Sequence, residues 1–168
     1  YTLYQPNIYP QQSYDSAQYS MIMKKYNAII NMNKTSDLVI FPETIISIPF
    51  TKEDEFFKSF QTTTDDTNML ITGLFSKSDD KFFNSMIFFS DNINIYNKRK
   101  LVPFGEYTPW YDSLLKLAEN LNIPLSNLSS GSERIEKISF GNINIIPMIC
   151  FESTFPNLVE SSSDHEII

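Results

Sequence analysis

The chain has 168 residues, 42% hydrophobic and 14% aromatic, which is enough to bury the core of one domain and unlike a disordered or collagen-type composition. A formal net charge of −7 excludes the broad basic face with which nucleic-acid binders neutralise phosphates, although the local cluster Lys98, Arg99 and Lys100 leaves contact with lipid headgroups open. The single cysteine, Cys150, rules out an intramolecular disulfide.

Tyr1 to Gln5 reads as a short β-type segment closed by Pro6 and Pro10. Tyr19, Ile22, Tyr26 and Ile29 recur at steps of three and four, which predicts a helix over 16–32. Leu38 to Phe41 has the composition of a fully buried strand, and Pro42 breaks it just before Glu43. Thr51 to Asp54 has capping-box character, and Phe56, Phe57 and Phe60 suggest a short helix behind it. Met69 to Phe75 and Lys81 to Ser90 are apolar runs. The turn residues Ser90 to Asn92 lead into an alternating Ile93, Ile95 segment, which predicts a hairpin.

Pro103, Gly105 and Pro109 make Leu101 to Trp110 irregular, and a helix is expected over 111–121. Ser126 to Gly131 is a polar loop. Ile135, Ile138 and Phe140 fall in one expected strand, and Ile143 to Ile149 in another that ends on Cys150. This succession is that of an α/β domain with reactive side chains at strand ends, where ligands collect in such folds. No apolar run approaches the roughly 18–20 residues that cross a bilayer, and no signal peptide is visible. The chain begins at Tyr1 and stops at Ile168, so both ends read as cut, with room for membrane segments outside them.

Cys150 sits at a strand-to-loop junction, and a thiol needs a proton acceptor to attack at neutral pH. The ordinary reading of a lone Cys is a small buried hydrophobe. The only histidine, His165, lies in a polar stretch, so a Cys–His dyad is a weaker alternative to a carboxylate base. Glu43 fits that role if Phe41, Pro42 and Ile45 partly desolvate it and raise its basicity, whereas an acidic residue past a strand is ordinarily solvated. Lys98 follows another strand, and on its own reads as a surface lysine. No metal-ligand spacing and no Gly-rich phosphate loop is present, so neither metal nor cofactor is expected.

Three pieces, Phe41-Pro42-Glu43, Tyr96-Asn97-Lys98 and Ile149-Cys150-Phe151-Glu152, occur in the order and approximate spacing of the Glu–Lys–Cys triad of the nitrilase superfamily. The run Lys98 to Pro109, with Leu101-Val102-Pro103-Phe104-Gly105-Glu106 at its heart, resembles the lysine loop of bacterial apolipoprotein N-acyltransferases, and Leu3 to Asn7 is similar to the start of their extracytoplasmic domain. Lys100 and Phe151 depart from the histidine and tyrosine common at those positions. The resemblance implies a single nitrilase-like α-β-β-α sandwich over 1–168, truncated at its C-terminal side, between transmembrane helices outside the chain.

It also implies catalysis by Glu43 as base, Lys98 as oxyanion stabiliser and Cys150 as nucleophile. The backbone N–H of Phe151 would assist Lys98, while Glu106 and Glu152 would orient Lys98 and Glu43 or serve binding, the ordinary reading of each being a solvated loop carboxylate. The implied partners are a phospholipid acyl donor and a diacylglyceryl-apolipoprotein acceptor, at the periplasmic side of a bacterial inner membrane. A soluble nitrilase-type amidase using the same triad with water, and a non-catalytic α/β interaction domain with Cys150 in its core, are the rivals.

Overall fold

The computed structural model describes residues 1–5, 16–32, 36–43, 49–50, 57–58, 60, 64, 68–111, 113, 126–132 and 137–160. Its centre is a five-stranded sheet in sequence order: β1 (Thr2–Leu3), β2 (Leu38–Ile40), β3 (Met69–Ser78), β4 (Lys81–Phe89) and β5 (Ile93–Asn97). The first three strands run parallel, while β3, β4 and β5 are joined antiparallel. Helix α1 (Ser16–Met32) lies between β1 and β2 in sequence, as a parallel connection requires.

Side chains along the strands alternate between two buried faces, the period that β geometry imposes. Val39, Leu70, Leu74, Ile87 and Phe89 face one way and pack with Tyr26 and Ile30 of α1 and with Phe50, Phe57 and Phe60. Edge-to-face ring contacts run through this layer, with centroids 4.6 Å apart for Tyr26–Phe41 and 5.5 Å for Phe60–Phe89. Leu38, Met69, Ile71, Phe88 and Tyr96 face the other way, against Ile138 and Ile149. Ile138 belongs to a two-stranded hairpin, β6 (Ile138–Phe140) with β7 (Ile143–Ile145), which turns at Gly141 with φ +56°. Helix, sheet and hairpin thus stack in the α-β-β order of the expected sandwich.

The helix over 16–32 and the hairpin of β4 and β5 stand where the sequence predicts them. The strand expected over Ile143 to Ile149 is shorter: β7 ends at Ile145. Ile146 and Ile149 are buried without strand pairing among the described residues, and Pro147 between them has no N–H to give a ladder. The expected helix over 111–121, the capping-box segment over 51–54, Ile135 and His165 lie outside the described residues, apart from Tyr111 and Ser113. A short 3₁₀ helix, Cys150–Thr154, and the helix α2 (Pro156–Glu160) follow the second layer.

Candidate active site

Glu43 stands in the turn after β2. Phe41 N–H bonds Ile71 O at 2.8 Å and Gly73 N–H bonds Pro42 O at 3.2 Å, so β3 holds this turn from both sides of Pro42. Lys98 follows β5 directly. Its N–H bonds Asn84 O at 2.8 Å and its carbonyl accepts Gly131 N–H at 2.9 Å. Gly131 approaches so closely that a Cβ there would overlap the Asn97 carbonyl, which explains glycine at that point. Because β4 runs antiparallel to its neighbours, its early residues Asn84 and Ser85 arrive at the sheet end where β2 and β5 finish.

Side chains at that end form one chain of hydrogen bonds. Asn84 Nδ2 donates to Glu43 Oε1 at 2.7 Å and to Glu106 Oε1 at 2.7 Å. Lys98 Nζ lies 2.8 Å from the same Glu106 oxygen. Glu106 Oε2 accepts the Val102 N–H at 2.8 Å, which closes the 102–107 loop on its own carboxylate. Burial pushes the Glu106 carboxyl up, but the hydrogen bonds from Lys98, Val102 and Asn84 and the lysine charge outweigh it and hold it below the usual carboxylate range. Lys98 is 1% exposed, so Glu106 is the counter-charge that lets an ammonium stay out of water.

The nucleophile candidate is differently placed. Cys150 is exposed and opens the 3₁₀ turn with φ +49°, a left-handed conformation that costs a non-glycine residue about 1–2 kcal/mol. The thiol is therefore not a core group. Glu152, two residues on, is fully buried. Its carboxylate accepts Ile149 N–H at 2.8 Å, Arg99 N–H at 2.8 Å, Lys100 N–H at 3.2 Å and the Tyr96 hydroxyl at 2.8 Å. Burial, opposed by the Arg99 hydrogen bond and reinforced by Glu152, raises the Tyr96 phenol far above its usual range and keeps it a donor.

A cavity of about 360 Å³ lies against this sheet end, with Glu43 and Cys150 both in its wall beside Phe41, Met86, Pro147 and Met148. The structure therefore brings Glu43, Lys98 and Glu106 into one network and places Glu43 and Cys150 on one cavity. Glu152 touches neither Glu43 nor the Lys98 side chain, and acts instead on the backbone next to Lys98 and Cys150. One expectation is corrected: Glu43 is exposed, not partly desolvated, because its turn lies at the rim of the sheet with Pro42 exposed beside it. Asn84 and Tyr96 are the polar groups that the sequence alone did not single out as site residues. Among the described residues no cluster of acidic, His and Cys side chains could hold a metal, and no helix is long and apolar enough to cross a membrane.

The chain as a whole has known relatives. The chain is 25% identical to the apolipoprotein N-acyltransferase of Shewanella oneidensis over 95% of its own length, 34% of that protein. It is 28% identical to that of Vibrio parahaemolyticus over 90% of its length, 32% of that protein. It thus spans about a third of the curated relatives it matches. Among solved structures, a carbon-nitrogen hydrolase from Helicobacter pylori G27 superposes on 96% of this chain and 55% of its own, with a TM-score of 0.60 at 16% identity. A CN-hydrolase superfamily protein from Xanthomonas campestris superposes on 82% of this chain and 50% of its own, with a TM-score of 0.59 at 18% identity. The fold is accordingly α/β and nitrilase-like. With the sequence profile of carbon-nitrogen hydrolases matching residues 2–167, the chain belongs to the carbon-nitrogen hydrolase family.

Proposed function

We propose that this chain carries the acyl-transfer centre of a bacterial apolipoprotein N-acyltransferase. In this reading Cys150 attacks the ester carbonyl of a phospholipid while Glu43 takes the thiol proton. The S–C bond forms, the ester C–O bond breaks, and Glu43 returns the proton to the departing lysophospholipid alkoxide. The N-terminal amine of a diacylglyceryl-cysteine then attacks the thioester, with Glu43 accepting the amine proton and the Cys150 thiolate leaving. Lys98, with the backbone N–H of Phe151, stabilises the oxyanion in both steps.

The observation that carries the reading is that Glu43 and Cys150 share one cavity wall while Glu43 is linked through Asn84 and Glu106 to the buried Lys98. The name of the curated relatives, apolipoprotein N-acyltransferase, points the same way for acyl transfer to an apolipoprotein. The test is mass spectrometry of the full-length protein incubated with phospholipid. An acyl adduct is expected on the wild type and on His165→Ala, none on Cys150→Ser, and little on Glu43→Gln in a single turnover. An adduct that persists on Cys150→Ser rejects Cys150 as the acyl carrier. Normal acylation of Glu43→Gln together with failure of a folded His165→Ala would make the enzyme a Cys–His acyltransferase. Hydrolysis of small amides without any acyl adduct would make it an amidase.

A further inference from the structure

We propose that Asn84 is a positioning residue for the base, a role that rests on the reading of Glu43 given above. Asn84 is 3% exposed and lies in the middle of the hydrogen-bond chain. Both hydrogens of its amide go to carboxylates on separate segments, Glu43 and Glu106, each at 2.7 Å. Its backbone carbonyl takes the N–H of Lys98 at 2.8 Å. One residue thus touches the turn of the base, the partner of the lysine, and the backbone of the lysine itself.

The orientation of the amide is dictated by the charges around it. Asn84 Oδ1 is buried with no hydrogen-bond partner among the described residues, an arrangement that costs stability. Turning the amide over would relieve nothing, since its oxygen would then face two carboxylates. Among the described residues, the charged groups facing Asn84 are Glu43, Glu106 and, through Glu106, Lys98. A neutral amide joins the two carboxylates without adding a third titrating group.

The consequence falls on Glu43, which stands on an exposed turn. A glutamate there has free rotamers and abundant water. The bond from Asn84 fixes Oε1, and with it the plane of the carboxylate, which leaves Oε2 to take a proton at the cavity that Cys150 also lines. Such pre-setting of one reactant against another is worth large factors in rate even when no new contact to the reacting atoms is made.

Alkylation of Cys150 by iodoacetamide in the full-length protein tests this, because it needs the thiol proton removed but needs no acyl donor or acceptor. Absence of an acyl adduct from phospholipid would therefore sink the proposed reaction without touching this inference. Asn84→Leu is expected to slow alkylation near neutral pH by about tenfold or more, and by less than about twofold when Glu43 is already Gln. Asn84→Asp, of the same shape, should move the rate–pH profile to higher pH, because a third carboxylate opposes thiolate formation. Equal slowing by Asn84→Leu in both backgrounds, an unmoved profile in Asn84→Asp, or no effect of Glu43→Gln on its own would each overturn the proposal. Should Asn84→Leu fail to fold, the isosteric Asn84→Asp, with its circular dichroism checked, carries the same two-background comparison.

Discussion

Glu152 accepts the backbone N–H of Arg99 at 2.8 Å across 53 positions of sequence, and so ties the segment bearing Lys98 to the turn bearing Cys150. The carboxylate is wholly buried and is satisfied by backbone groups on both sides. Hydrogen bonds to a buried charge are among the stronger ones in a protein. Glu152→Ala is expected to lose about 3–5 kcal/mol of stability, since several buried donors lose their acceptor together. Urea denaturation measures this, and a variant that unfolds at the wild-type midpoint would show that the clamp is dispensable.

The Glu106–Lys98 pair makes a prediction about acid stability. The folded carboxyl lies below its ordinary value of 4.5, so its contribution is fully present above that pH. As the pH falls below 4.5, the unfolded chain takes up the proton first, and the contribution drains away until the folded carboxyl is protonated too. Glu106→Gln should lower stability at neutral pH by about 3–5 kcal/mol, because the Lys98 charge stays buried without its partner. The same variant should show a flatter loss of stability below pH 4.5 than the wild type. Thermal melts across that range read both effects, and parallel curves for the two proteins would contradict the assignment.

Lys98 and Lys100 are two positions apart and have opposite settings, one 1% exposed against Glu106, the other on the surface. Loss of an oxyanion donor costs about 10²–10³ in rate. Lys98→Ala should lose at least that much acylation, with its fold checked independently, and Lys100→Ala should stay within about tenfold. The reverse ranking in a single-turnover assay would move the oxyanion role to the exposed lysine.

The left-handed backbone of Cys150 predicts a trade of activity for stability. Glycine adopts φ near +49° without the clash that a Cβ makes there. Cys150→Gly should therefore be about 1 kcal/mol more stable than Cys150→Ala, with both expected to lose acylation under the proposed mechanism. Equal stabilities in chemical denaturation would mean that the turn carries no strain.

Much of the fold was legible in the sequence because burial leaves a periodic trace. Tyr26 is buried and Ile29 partly buried on the face that the three-and-four spacing of the helix predicts, with Ile30 buried beside them, and the runs around Leu38, Met69 and Lys81 all became strands. Composition could not say whether an apolar run finds a strand partner: Ile146 and Ile149 are buried, yet among the described residues they pair with no strand. The triad candidates were legible only as three short pieces in order. Their settings were not: a lysine alone reads as solvated, and the burial of Lys98 depends on Glu106 folding back over eight positions. The exposure of Glu43 likewise reflects what the sheet rim leaves uncovered. Asn84, between Phe83 and Ser85 in a strand, gives no local signal, because its partners are 41 and 22 positions away.

The long β3–β4 pairing has a consequence for which changes of length the protein can absorb. Nine residue pairs run without a break from Leu70–Phe89 to Ser78–Lys81, closed by the exposed turn of Asp79 and Asp80. Lengthening that turn leaves the register behind it untouched, so insertions there should be tolerated. A single residue inserted between Lys81 and Asn84 would instead send every later or every earlier side chain of β4 to the opposite face. Asn84 would then point away from Glu43 and Glu106, or Ile87 and Phe89 would leave the core under α1. A library of insertions along this hairpin should therefore be permissive at its tip and intolerant within a few residues of it.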